Sequence, residues 1–235
     1  CETSQVKFSY MEVYNENVRD LLSESNKSLS VLEDGNKTVV PELTEFEVKQ
    51  SSEVIDLIGQ GNGRRVQGAT NINEASSRSH AVLQFGITVK KDKQVLQSKL
   101  TVIDLAGSER MFHNESDKMM LEGSNINKSL LALGNCITAL AERKGTHVPF
   151  RDSKLTRILK EGLSGNSRSM MIACLSSNQE QYEETLSTIY YASRATKIRK
   201  RLSKNIKDFG VECPNCHHTF EPPNKPSHNL SRDSR

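Results

Sequence analysis

One stretch constrains this chain more than any other: Val102-Ile103-Asp104-Leu105-Ala106-Gly107-Ser108-Glu109. An apolar strand ends on a carboxylate, and a glycine follows after two intervening residues. A carboxylate at the mouth of a strand is placed to serve a hard cation. A glycine just beyond it lets the bare backbone N–H approach an anion, because no Cβ stands in the way. Nucleotide-hydrolysing α/β proteins use this layout, with the carboxylate near Mg²⁺ and the N–H near the γ-phosphate. Asp-x-x-Gly is short, and GTP-binding switches share it. A GTP reading also needs Asn-Lys-x-Asp for the base. Here Asn127-Lys128-Ser129 is followed by Leu130, so that reading fails.

Periodicity places the elements around this strand. Val6, Phe8 and Tyr10 alternate with polar residues and predict a strand over Val6–Tyr14, with a short helical turn over Asn17–Leu22. Leu29–Leu32 and Thr38–Val40 read as short strands about the turn Asp34-Gly35-Asn36. Ser51 or Ser52 caps a helix that runs to Gly61. Leu83, Phe85, Ile87 and Val89 alternate as a half-buried strand. Leu100–Leu105 is nearly unbroken apolar, as for a strand covered on both faces. Met111–Leu121 has no clear period and reads as loop or late-forming helix. Ile126, Leu130, Leu133, Ile137 and Leu140 then recur at helical spacing. Ser153 caps a helix carrying Leu155, Ile158 and Leu159 and ending at Gly162 or Gly165. Met170–Leu175 predicts another buried strand, and Tyr182, Leu186, Ile189 and Tyr190 mark a last helix. Strands alternating with helices predict an α/β class with a largely parallel or mixed sheet.

Composition narrows the class. The chain has 235 residues, enough for one domain and a tail, with 35% hydrophobic and 26% charged residues. A net charge of +3 is too small to argue for nucleic acid, so no nucleic-acid partner is expected. No apolar run approaches a membrane span, so no membrane partner is expected either. Five cysteines without a secretory pattern suggest a reducing compartment.

Three motifs stand in order: Asn73-Glu74-Ala75-Ser76-Ser77-Arg78-Ser79-His80, then Asp104–Glu109, then Asn125-Ile126-Asn127-Lys128-Ser129-Leu130. Tyr10–Glu16 with Arg19–Leu22, His147–Arg157 and Tyr191–Ala195 accompany them. Together they resemble the kinesin motor domain: its switch I, its switch II and the start of the helix that lies on the microtubule. Ser129–Ile137 looks most like the kinesin-eight class. The resemblance runs from Val6 to Asn205.

The resemblance implies an α/β, partial kinesin-type P-loop NTPase fold: a mixed central sheet flanked by helices, with the first strands missing. A kinesin also needs G-x-x-x-x-G-K-[ST] to cradle phosphates, and no Gly-Lys pair occurs in this sequence. The expectation is therefore a piece of a motor, inactive alone as an ATPase. The alternative is a non-catalytic microtubule-binding module. In the kinesin fold the first strands lie between the last strand and the switch II strand. Without them Met170–Leu175 would lose its neighbours, and stable folding of the chain alone is doubtful.

By the same resemblance, Ser77 would reach Mg²⁺ through its hydroxyl and Asp104 through water. Ser76 would hold the attacking water or the γ-phosphate, and Gly107 N–H would bond the γ-phosphate. Asn73 would line the nucleotide. Arg78 and Glu109 would pair when both switches close, a poor stabiliser but a good latch. The cofactors implied are ATP and Mg²⁺, and the partner is the acidic microtubule surface. Arg110, Lys128, Arg143, Lys144, Arg151, Lys154 and Arg157 fall on tubulin-contact positions, giving salt-sensitive association. The expected location is the cytoplasm, on the cytoskeleton.

The domains expected are 1–198, the partial motor; 199–208, a basic segment like a neck linker; and 209–235, a Cys/His-containing disordered tail. Lys197, Arg199, Lys200, Arg201 and Lys204 crowd the junction. Ile198 would be the first docking residue of a neck and Asn205 its latch. In the tail, Cys213 and Cys216 supply half of a tetrahedral Zn²⁺ site, with His228 at C2HC spacing. That pattern wants a cysteine where Arg232 stands. His217 or His218 could supply a ligand instead.

Overall fold

The computed structural model describes residues 2–34, 37–67, 78–91, 94–108, 117–142 and 147–199, and three short strands between 206 and 220. Strand β1 (Glu2–Tyr14) pairs with β6 (His80–Lys91) from Glu2↔Lys91 to Val13↔His80. Strand β6 continues by a hairpin into β7 (Gln94–Asp104), with Ala81 opposite Asp104. On the other edge of β1 lie β2 (Asn17–Asp20) and the short β5 (Phe46–Glu47). The hairpin of β3 (Leu32–Asp34) and β4 (Lys37–Val39) stands apart from this sheet. Strand β8 (Ile206–Asp208) adds to the first residues of β7, while β9 (Val211–Glu212) pairs with β10 (Thr219–Phe220).

The α/β class is as expected, but every strand pair among the described residues is antiparallel. Two of the connections that build the sheet are tight hairpins, and a tight hairpin can join only antiparallel strands. The helical turn expected after Tyr14 is instead strand β2. Asn15 and Glu16 take positive φ of 49° and 58°, which closes a tight hairpin and returns the chain along β1.

Both faces of β1 are covered, so its buried residues run unbroken from Phe8 to Val13. On one face Phe8, Tyr10 and Ala81 pack with Val54, Leu57 and Ile58 of α1 (Ser51–Gln67). On the other, Met11, Val13 and Val82 pack with Val31 and with Ile158 of α3 (Lys154–Ser164). Helix α2 (Asp117–Glu142) and α4 (Tyr182–Ala195) join α3 in a third cluster around Leu133, Ile137, Leu155 and Tyr191. Asp117–Leu121, expected as loop or late helix, is the first turn of α2.

Ser153 caps α3 as predicted. Its Oγ accepts from Thr156 N–H at 3.0 Å, and Thr156 Oγ1 accepts from Ser153 N–H at 3.2 Å. Gly165 closes the other end. Two strand expectations fail. Met170–Leu175 forms no strand and is open to solvent, with Met170 87% and Ile172 78% exposed. Strand β7 forms, but Leu100 and Val102 are exposed because nothing described covers that face of its second half.

Helix α1 passes the Gly61 stop and continues to Gln67. Gly61 is helical because the sheet needs it there: a Cβ would overlap the Tyr10 ring, standing 2.6 Å from Cε1. Tyr10 cannot swing aside freely, since its hydroxyl donates to Asn62 Oδ1 at 2.7 Å. Gly59 and Gly63 face open space. Alanine in an exposed helix gains about 0.5–1 kcal/mol over glycine, whereas overpacking costs about 1–3 kcal/mol. We expect Gly59→Ala and Gly63→Ala to raise the urea midpoint and Gly61→Ala to lower it. A stabilising Gly61→Ala would refute the close packing.

Candidate functional site

The functional residues gather where β6 begins and β7 ends. Because Ala81 faces Asp104 in the register, His80 and Asp104 are neighbours across the ladder and point to opposite faces of the sheet. Asp104 lies on the α1 side. Its carboxylate is 76% exposed and stands 4.0 Å from Nη1 of Arg65. Gly107 follows, half-buried, in the irregular segment Leu105–Ser108. Arg78, also half-buried, precedes β6. The expected residues Asn73, Ser76, Ser77 and Glu109 lie outside the described residues, so the Arg78–Glu109 pair does too.

Two groups that carried no assigned role organise this corner. Arg65, in the last turn of α1, is turned inward. Its Nε donates to Ser79 Oγ at 3.0 Å and its Nη2 to the Ser79 carbonyl at 2.9 Å. Nε also lies 3.4 Å from the buried Glu12 carboxylate. A basic pair closing a helix normally answers the helix dipole. Only the packing of α1 on β1 tells Arg65 from Arg64, which donates to the Leu21 carbonyl.

The second is His80, on the opposite face. It is 2% exposed. Its Nδ1 accepts from Ala106 N–H at 2.9 Å, and its Nε2 lies 2.8 Å from Ser129 Oγ on α2. An acceptor at Nδ1 fixes the neutral tautomer with the proton on Nε2, so Ser129 Oγ accepts. Burial, with the Arg65 charge nearby, pushes the imidazole pKa down to about 4. One ring thus joins the three motifs.

The basic residues are placed less uniformly than their spacing predicts. Lys128 is exposed on α2. Lys154 is half-buried at the start of α3, where its N–H donates to Glu16 Oε2 at 2.8 Å. Arg151, in a 3₁₀ turn (Phe150–Asp152), meets Glu33 of β3 through Nε and Nη2 at 3.3 and 3.0 Å, and Lys160 approaches the same carboxylate at 3.5 Å. Arg151, with Lys160, holds the Glu33 carboxyl down at about 2. Arg157 turns inward and donates from Nη2 to the Val31 carbonyl at 2.6 Å. Its own carbonyl accepts from Thr38 Oγ1, and Glu161 accepts from Thr38 N–H. Arg157 therefore turns into the β3–β4 hairpin, while Arg151, 76% exposed, meets Glu33 at the surface beside it. Arg110, Arg143 and Lys144 lie outside the described residues.

Among the described residues no cluster of His, Cys, Asp and Glu could hold a metal ion. Cys213, Cys216 and His228 lie outside them. Ile198 packs against the α2–α3–α4 cluster, and Asn205 is not described.

The sequence profile of the Kinesin motor domain family matches residues 2–198. Kinesin-like protein 6 of Schizosaccharomyces pombe is 44% identical over 222 residues, covering 86% of this chain and 28% of its own length. Kinesin-like protein KIN-8B of Arabidopsis thaliana is 46% identical over 209 residues, covering 86% of this chain and 26% of its own length. That match agrees with the class expected from Ser129–Ile137. A solved KIF14 dimer, in a two-heads-bound state with AMP-PNP and a microtubule, superposes with a TM-score of 0.80 at 36% identity. It covers 87% of this chain, which spans 61% of the solved one.

The depressed His80 pKa has a sign. The unfolded imidazole takes its proton near pH 6.5 and the folded one near 4, so stability is full above 6.5 and falls as pH drops through this window. Between pH 7 and pH 5 the loss from this residue is about 2 kcal/mol. Urea unfolding at the two pH values should show that step in the parent and lose it in His80→Gln. Equal pH slopes in both would refute it.

Proposed function

The chain belongs to the kinesin motor-domain family, and on that premise we propose that it is the switch-bearing, track-facing part of an ATP-driven microtubule motor. The observation that carries this reading is the open Asp104 carboxylate at the mouth of β7, three residues before Gly107. A hard oxygen donor beside a glycine backbone suits Mg²⁺ and a phosphate oxygen. Asp104 would hold Mg²⁺ through water and Ser77 through its hydroxyl. Gly107 N–H would bond the γ-phosphate, Ser76 would hold the attacking water or the γ-phosphate, and Asn73 would line the nucleotide. Arg78 and Glu109 would close over them and exclude solvent. Bound ATP supplies the phosphoryl group, and these residues supply position and charge stabilisation.

The phosphate cradle has to come from residues outside this sequence, which holds no Gly-Lys pair. Exposed Leu100 and Val102 on β7, and exposed Met170 and Ile172, support this, since each is an apolar side chain that further strands of a motor would cover. A cytoskeletal location goes with the reading. In the tail, Cys213 and Cys216 would hold Zn²⁺ with His228 as a third ligand, and the pairing of β9 with β10 brings together the two ends of the segment that carries the cysteines.

The 235-residue chain should show no ATPase above background, with or without microtubules. A longer product of the same gene carrying a G-x-x-x-x-G-K-[ST] segment should show microtubule-stimulated turnover. Turnover by the short chain would sink the division of labour. Microtubule binding without turnover in the longer product would favour the non-catalytic module.

The basic residues should also separate. Lys128→Ala and Lys154→Ala should weaken cosedimentation with microtubules and flatten its salt dependence. Arg157→Ala should instead lower stability by about 2 kcal/mol, through loss of the charged bond to Val31. An Arg157→Ala protein of parental stability and reduced microtubule affinity would return Arg157 to the track face.

A further inference from the structure

The bond pair on His80 is not explained by the residues assigned to nucleotide or track. Its ring sits on the first residue of β6, where the ladders to β1 and β7 fix its place: Val13 lies opposite His80, and Asp104 lies opposite the next residue. The ring is closed off from water, as are Ala106 and Ser129, so neither bond can be exchanged for one to solvent without opening the structure. Nδ1 takes the N–H of Ala106, one peptide bond before Gly107, and Nε2 serves the Ser129 hydroxyl, one residue after the exposed Lys128.

We propose that His80 is a positioning residue that fixes Leu105–Ser108 and helix α2 to one another through its two ring nitrogens, so that Gly107 and Lys128 move as a linked pair. This rests on the motor reading above. Both bonds end on one imidazole whose backbone the sheet holds in place. A shift of Leu105–Ser108 must either break the Ala106 bond, stranding a buried N–H, or turn the ring and carry Ser129 with it. A shift of α2 acts in reverse on Ala106. Coupling between two sites is reciprocal, so the same bond pair serves nucleotide-to-track and track-to-nucleotide communication. Protonation of the ring would oppose it, because Nδ1–H would face the Ala106 N–H, donor against donor. Among the described residues, the titratable and charged groups near the ring are Arg65, which also bonds neighbouring Ser79, and, across the ladder on the other face, Asp104 and Glu12. The buried ring is neutral at ordinary pH, as the link requires.

Three substitutions cut the link at chosen points. Ser129→Ala removes the helix side only. His80→Asn keeps an acceptor near the Nδ1 position and loses the Nε2 donor. His80→Gln keeps a donor near Nε2 and loses the acceptor for Ala106. In the full-length motor, the readout is the ratio of microtubule Kd with ADP to that with AMP-PNP, alongside ADP affinity. Ser129→Ala and His80→Asn should each lower that ratio about fivefold or more. ADP affinity should hold. Combined, they should do no worse than either alone, because both break one bond. A merely structural role would weaken both states alike and leave the ratio at the parental value, and that result overturns the proposal. Hydrogen exchange decides the link without reference to motor activity. In the 235-residue chain, Ser129→Ala should speed exchange at the Ala106 amide, on the far side of the ring. Unchanged exchange at Ala106 overturns the link even if the protein proves to be a motor. A parental ratio of one, with faster exchange in the variant, removes the motor reading and leaves the link standing.

Discussion

The register of β1 on β6 governs the rest of the molecule. The pairing runs unbroken from Glu2↔Lys91 to Val13↔His80, and β7 copies it from Ala81↔Asp104 to Lys91↔Gln94. Side chains alternate faces along a strand, so a slip of one residue would invert every assignment. Met11 and Val13 would leave the α3 side, and Phe8 and Tyr10 would leave α1. His80 would point away from Ser129, and Asp104 away from Arg65. Covering both faces makes that slip costly, because each face carries its own apolar cluster. The site at the end of the sheet is therefore held by core residues far along the strands.

Charge is divided between structure and surface in a way that spacing does not disclose. Arg65 and Arg157 face inward, the one bonding to Ser79 and lying beside Glu12, the other bonding to the Val31 carbonyl. Such groups keep their charge inside the protein because close oxygen atoms replace water. Arg151 stays outside but is engaged by Glu33 in a two-pronged contact on the surface, where an ion pair adds little stability and mostly fixes orientation. The β3–β4 hairpin is thus attached to α3 by polar contacts as well as by the packing of Val31 and Val40 around Ile158, and Glu161 ties both the hairpin and Lys99 of β7 to the same helix. Lys128 on α2, Lys154 at the start of α3 and the exposed Arg151 are the basic positions left for an outward electrostatic role among the described residues.

The sheet is also unevenly finished. Its β1–β6 centre is enclosed by α1 on one side and by α3 with the hairpin on the other. Toward β7 the cover thins, and Leu100 and Val102 meet solvent. The same region carries Asp104 and Gly107. Apolar side chains at Leu100 and Val102 thus stay open on the strand that ends at Asp104.

The sequence by itself determined the family, the principal helices and long strands, and the identity of the motif residues. The motifs are contiguous, and the capping of α3 by Ser153 and the apolar stripe of α2 arise within single segments. It could not determine sheet direction, the strand at Asn17–Asp20, the continuation of α1 past Gly61 or the exposure of Leu100 and Met170. Each depends on what lies across from a segment rather than within it: a Tyr10 ring against Gly61, a positive-φ hairpin at Asn15 and Glu16, a strand face with no neighbour. The candidate site divides in the same way. Asp104 and Gly107 were legible because a strand end and a glycine are local signals. Arg65 and the His80 link were decided by the tertiary structure alone. Ala106, His80 and Ser129 are far apart along the chain, and only the register of the ladder and the seating of α2 bring one imidazole within 3 Å of both partners.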